Sequence, residues 1–139
     1  NEQVPALASR LRSTCPNFEI FDDWYSAGPE ADDYWKAYEK GKGSSYQEAL
    51  NGYAAKHVFD FDKHHLDSST HAVLMLPAGK SGHMELIYAK YGAGAKVAVL
   101  LEENWDGRYD VMYRFVDAVL SSPAELEEWL ASDIQTRME

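Results

Sequence analysis

The sequence predicts an α/β fold built as a three-layer sandwich, a parallel sheet with helices on both faces. Residues 72–76, Ala-Val-Leu-Met-Leu, form a continuous apolar run of strand length, the pattern of a strand buried on both sides. Pro77 and Gly79 break that run, and residues 82–91 read as a helix closed by Gly92 and Gly94. A second apolar run follows at 96–101. Strand, glycine-containing loop, helix and strand therefore succeed one another as in a parallel crossover unit.

The other elements follow in chain order. Val4, Leu7, Ala8 and Leu11 recur at helical spacing and predict a helix over 4–13. Residues 18–24 run apolar and aromatic with alternation, which predicts a strand ending at Asp22-Asp23-Trp24-Tyr25. Residues 26–43, acidic and aromatic around Gly28-Pro29, predict a long polar loop suited to a lid. Ser45-Tyr46-Gln47-Glu48 matches a capping box, so a helix is expected to about residue 59 with Leu50, Tyr53, Ala54 and His57 on one face. A short helical turn at 62–66 then leads into the first buried strand. A short helix at 112–117, a strand at 118–121 and a last helix from Ser122-Pro123-Ala124-Glu125 to about residue 132 complete the reading. No repeat, low-complexity tract or linker divides the chain, so a single domain over 1–139 is expected.

Composition narrows the function classes. The chain has 139 residues, 45% of them hydrophobic, enough for one sizeable core. Cys15 is the lone cysteine, which excludes an internal disulfide and reads as a reduced, cytoplasmic protein. No apolar stretch approaches the roughly 20 residues that span a bilayer, and the N-terminal residues lack a secretory pattern; no membrane partner is expected. Thirteen Lys and Arg against 23 Asp and Glu give a net charge of −10, which opposes binding of polymeric nucleic acid. A single small anion is still compatible with that charge, because backbone N–H groups act locally.

The segment from Pro77 through Ala89 carries the chemistry, since it lies where a parallel strand delivers the chain to a helix N-terminus. Gly79 and Gly82 allow close backbone approach, Ser81 offers a hydroxyl, and the first-turn N–H groups suit a phosphate or sugar oxygen. Lys80 and Ser81 favour a phosphate. Glu85 stands about one turn inside the helix, where the dipole favours its ionised form, and a carboxylate kept charged beside a sugar is a candidate nucleophile; a Glu that only complements the dipole has the same spacing. Asp62, before the same strand, supplies a second carboxylate, either as acid/base partner for a retaining glycosyl transfer or as a helix N-cap. Trp24 is the candidate for stacking on a flat base, and His83 is a candidate for contact with a substrate oxygen. His64 and His65 diverge on a helix, so no metal is expected, and no cofactor is called for.

This pattern resembles the nucleoside 2-deoxyribosyltransferase-like superfamily, which includes nucleotide N-glycosidases. There an Asp begins a short helix, a hydrophobic strand follows, and a Pro-x-Gly loop leads to a helix with a nucleophilic Glu; Asp62, residues 73–76, Pro77-Ala78-Gly79 and Glu85 match. The resemblance implies Glu85 as nucleophile, Asp62 as its acid/base partner, Ser81 as a ligand hydroxyl, a flavodoxin- or Rossmann-like sheet, and a homodimer or larger homo-oligomer whose sites are completed across subunits. Thr70 stands where the family commonly has a second Asp, and Ile87 where a Gly often follows Glu-Leu. The family's first strand and its small-residue loop have no counterpart, so an incomplete or differently numbered sequence is expected.

Three other readings compete. A phosphoribohydrolase of the cytokinin-activating type shares the offset from Pro77 to Glu85, but Ala78, Ser81 and Gly82 depart from its motif. A non-catalytic nucleotide-binding sensor needs the loop at 79–82 without the carboxylate pair. A flavodoxin-like electron carrier suits the acidity and fold class, and flavin absorbance would reveal it.

Overall fold

The computed structural model describes residues 3–22, 36–38, 40–43, 45–101 and 110–138. The chain forms two compact units, Asn1–Asp22 with Ser69–Glu139, and Asp23–Ser68.

The larger unit begins with helix α1, Gln3–Thr14. Strand β1 is His71–Met75 and strand β2 is Lys96–Leu100, with helix α4, Lys80–Tyr91, between them. A 3-10 helix at Val111–Phe115 precedes strand β3, Ala118–Leu120, and helix α5, Pro123–Met138, ends the unit. The three strands are parallel in the order β1-β2-β3. The broad α/β prediction therefore holds, with a small open sheet.

Register explains the two faces of this sheet. Val73, Ala98 and Ala118 pair across it, as do Met75, Leu100 and Leu120, and with a side-chain period of two these rows share one face. That face packs into a cluster with Leu7, Leu11 and Cys15 of α1 and its end, and with Leu126 and Leu130 of α5. An Arg10–Glu127 ion pair joins the same two helices. Leu74, Val97 and Val99 point the other way, and α4 covers them, with Gly82 directly over Leu74. Val97 and Val99 are fully buried, each contributing about 1.5–3 kcal/mol from removal of apolar surface from water. Val119 of β3 lies on the α4 face yet is exposed.

The strand expected at 18–24 does not form over its described part: residues 18–22 lie outside any strand. Its alternation has another cause. Phe18 and Ile20 pack against the α1/α5 cluster while Glu19 is exposed, and the guanidinium of Arg12 donates to Ile20 O at 3.1 Å and to Asp22 Oδ1 at 2.6 Å. Side-chain donors thus serve this segment in place of a strand ladder.

The smaller unit contains helix α2, Tyr46–Leu50, and helix α3, Tyr53–Asp67. The capping box forms as expected, with Glu48 N–H donating to Ser45 Oγ at 3.2 Å and Ser45 N–H donating to Glu48 Oε1 at 3.1 Å. Both Ser45 groups that bond the Glu48 carboxylate, the backbone N–H foremost and then the hydroxyl, hold its pKa below the ordinary glutamate range. The single helix expected to residue 59 is instead broken at Asn51 and Gly52, and α3 then runs unbroken through the position assigned to a short turn at 62–66. Leu50 and Tyr53 are exposed, whereas Ala49, Ala55 and Leu66 are buried, so the apolar face is not the one expected. Residues 36–38 and 40–41, within the stretch read as a loop, are helical.

Candidate functional site

Strand β1 leads into the turn before α4. Leu76 is buried and its N–H donates to Leu100 O at 2.9 Å, after which a cis Leu76–Pro77 bond carries the chain away from the sheet. Gly79 is the N-cap of α4, extended and without a side-chain cap. The first backbone bond into it comes from His83 N–H, at 3.3 Å, which places Lys80, Ser81 and Gly82 in the first turn, whose N–H groups have no intrahelical acceptor. Such a terminus favours an anion by its dipole and its donors together. Lys80 and Ser81 are exposed beside it.

The two glycines differ. Among the described residues, a Cβ on Gly79 would meet nothing within 4 Å, whereas one on Gly82 would lie 2.8 Å from Leu74 Cδ1. Gly82 lets α4 sit close on β1.

At roughly 100° per residue, Gly82, Leu86 and Ala89 form the sheet-facing stripe of α4, Leu86 and Ala89 being buried. Met84, Ile87 and Tyr91 form its exposed back. Glu85 and His83 stand on opposite flanks, about 200° apart, and both are half-buried. The structure does not bring them to one side of the helix. His83 Nδ1 lies 2.7 Å from Gly79 O and Nε2 lies 3.0 Å from Tyr113 Oη, with the two rings stacked at 5.8 Å between centroids. Both nitrogens of His83 are thus engaged within the protein. Burial, and the nearby Asp110 charge after it, push the Tyr113 phenol upward in pKa.

Asp62 lies in the smaller unit, in the interior of α3 and nine residues after its first residue, so it is not the helix N-cap considered for it. It is half-buried. Burial raises its pKa, and the charge of His65 one turn later partly offsets this. A carboxyl kept protonated to higher pH is suited to giving up a proton to a leaving group. Trp24 lies outside the described residues.

Tyr113, Lys90 and Asp117 were not singled out in these roles by sequence reasoning. Lys90 Nζ donates to Phe115 O at 2.6 Å and pairs with Asp117 Oδ1 at 3.1 Å, while Asp117 Oδ2 accepts from Val97 N–H at 2.8 Å. These contacts span 20 to 30 residues, so no local pattern announces them.

Among the described residues, no cluster of three or more His, Cys, Asp or Glu could hold a metal ion, and no helix is long and apolar enough to cross a membrane. No protein-family model and no curated protein sequence matches the chain.

Proposed function

We propose that the protein cleaves or exchanges the N-glycosidic bond of a nucleoside or nucleoside 5′-monophosphate, with Glu85 as nucleophile. The observation that carries this reading is the half-buried Glu85 on a helix whose uncapped N-terminus opens at the C-terminal end of a parallel strand. The terminus supplies donors for a phosphate or sugar oxygen, and the carboxylate of Glu85, the sixth residue of α4 and so past its first turn, attacks the anomeric carbon. Breaking the bond to the base leaves a glycosyl ester on Glu85 and a base that takes up a proton from solvent. Water or a second base then releases the sugar with overall retention.

The same reading brings a flavodoxin- or Rossmann-like sheet, a cytoplasmic setting and a homodimer or larger homo-oligomer. Exposed Val111 and Met112 offer apolar surface for pairing; light scattering that finds a monomer at working concentrations overturns the dimer.

The decisive assay incubates the protein with a panel of nucleosides and monophosphates and follows released base by chromatography. Glu85→Gln, nearly isosteric and a poor nucleophile, should abolish release without unfolding the chain. Full turnover by a folded Glu85→Gln protein refutes the assignment. A second reading, a nucleotide sensor, is favoured by the uncapped terminus alone. It predicts binding of a monophosphate with no base released by the unaltered protein.

A further inference from the structure

We propose that His83 and Lys90 act as two staples that set the rotation of α4 about its axis, and that His83 with Tyr113 is thereby a positioning pair for Glu85. The inference rests on the reading of Glu85 given above. Both staples lie on one flank of α4, seven positions and so about two turns apart. His83 joins the helix to Tyr113 near its N-terminus, and Lys90 joins it to Phe115 O and Asp117 near its C-terminus. Tyr91 and Phe115 add an edge contact at 6.1 Å. A helix held at one point can still roll over the sheet. Held at two points on one flank, it presents the opposite flank, where Glu85 stands, in one setting.

The hydrogen-bond chemistry fixes one proton of the pair. A carbonyl only accepts, so the bond to Gly79 O requires a proton on His83 Nδ1. In the neutral ring Nε2 is then an acceptor, and Tyr113 O–H donates to it. The raised Tyr113 pKa agrees with a phenol that keeps its proton. That argues against a phenolate nucleophile or base at Tyr113 and leaves orientation as the role of the pair. Gly79 O receives both the side chain and the backbone N–H of His83, so the same imidazole also fastens the turn at the head of the helix.

The test uses the full chain labelled with 15N. Imidazole nitrogen shifts, assigned by the loss of one signal in His83→Gln, should show Nδ1 protonated and Nε2 unprotonated; the opposite tautomer overturns the pair. Tyr113→Phe removes one hydroxyl and Lys90→Met removes one charge, and each should speed amide exchange over residues 83–90 while leaving 97–100 unchanged. Exchange unaltered over 83–90 in both variants overturns the staples. Where base release is measurable, Tyr113→Phe should lower kcat by roughly 10-fold with KM little changed, because small misplacements of a reacting group cost that much or more. An active protein whose kcat is unmoved by either variant overturns the link to Glu85. Absence of base release from the unaltered protein instead refutes the glycosidase reading, and the tautomer and exchange results still decide the staples.

Discussion

Gly82→Ala tests how closely α4 is seated on the sheet. The added Cβ would lie 2.8 Å from Leu74 Cδ1 and 3.6 Å from Ala78 Cβ, against an optimum of about 3.5–4.0 Å for carbon pairs. The atom met is the tip of a side chain that is only partly buried, so a rotamer change relieves part of the clash and the cost falls at the low end of the about 1–3 kcal/mol typical of overpacking. Opposing it, Ala is favoured over Gly by up to about 1 kcal/mol inside a helix, and Gly82 is in the first turn, where less of that gain applies. The net expectation is a loss of up to about 1 kcal/mol, read as a lower urea midpoint with an unchanged slope. The informative control is Leu74→Ala, which removes the clashing methyl. In that background Gly82→Ala should become neutral or stabilising, giving a coupling of at least about 1 kcal/mol in a double-mutant cycle. If Gly82→Ala raises the midpoint of the otherwise unaltered protein, or the two changes simply add, the close seating of α4 on β1 is wrong.

Leu126 is fully buried between the sheet and α1, so Leu126→Ala should cost about 2–5 kcal/mol in denaturant unfolding; a cost below about 1 kcal/mol would contradict its place at the centre of the cluster. Ser45→Ala should destabilise the protein at neutral pH by removing the cap of α2. Glu48, with its pKa lowered by Ser45, contributes stability that is present above its unfolded pKa and is lost as pH falls through the folded one. Because the larger cause is a backbone N–H that Ser45→Ala keeps, the test is Glu48→Gln: its difference from the unaltered protein should shrink in acid, and a difference that stays constant with pH would refute the capping contribution of the Glu48 carboxylate.

What could be read from the sequence was what depends on near neighbours. The runs at 72–76 and 96–101 became β1 and β2 because five consecutive apolar side chains suit a strand covered on both faces. Ser45 and Ser122 began helices because their hydroxyls reach an N–H three residues on. The error at residues 18–22 has a physical source: Phe18 and Ile20 do face the core, and alternation reports facing, whereas strand pairing depends on which donors are near. Asp62 was misplaced for a related reason. The polar residues around it, among them Asp60, Lys63 and His64, resemble a break, yet they occupy the outer side of a helix held by Lys56–Asp60 and Lys63–Asp67 pairs and by buried Ala55 and Leu66. At the candidate site, the turn and Glu85 were visible as a motif. The contacts of His83 and Lys90 were not, because their partners are 30 and 25 residues away and are chosen by packing of the 3-10 helix on α4.

Asp62→Asn tests what the half-buried carboxyl costs the fold. Burial raises the pKa of Asp62 in the folded protein, with His65 pulling the other way. Between the unfolded and the raised folded pKa, the native state binds more protons than the unfolded state, so stability falls as pH rises through that window. Above the folded pKa the ionised carboxylate is a standing cost, and below the unfolded pKa the cost is absent. Asparagine has a similar shape and a similar helix preference but carries no charge to desolvate. Asp62→Asn should therefore raise the urea midpoint at neutral pH, with the gain fading in acid as the unaltered protein takes up its proton. A loss of stability at neutral pH would show instead that Asp62 serves α3 through hydrogen bonding, and would refute the desolvation cost.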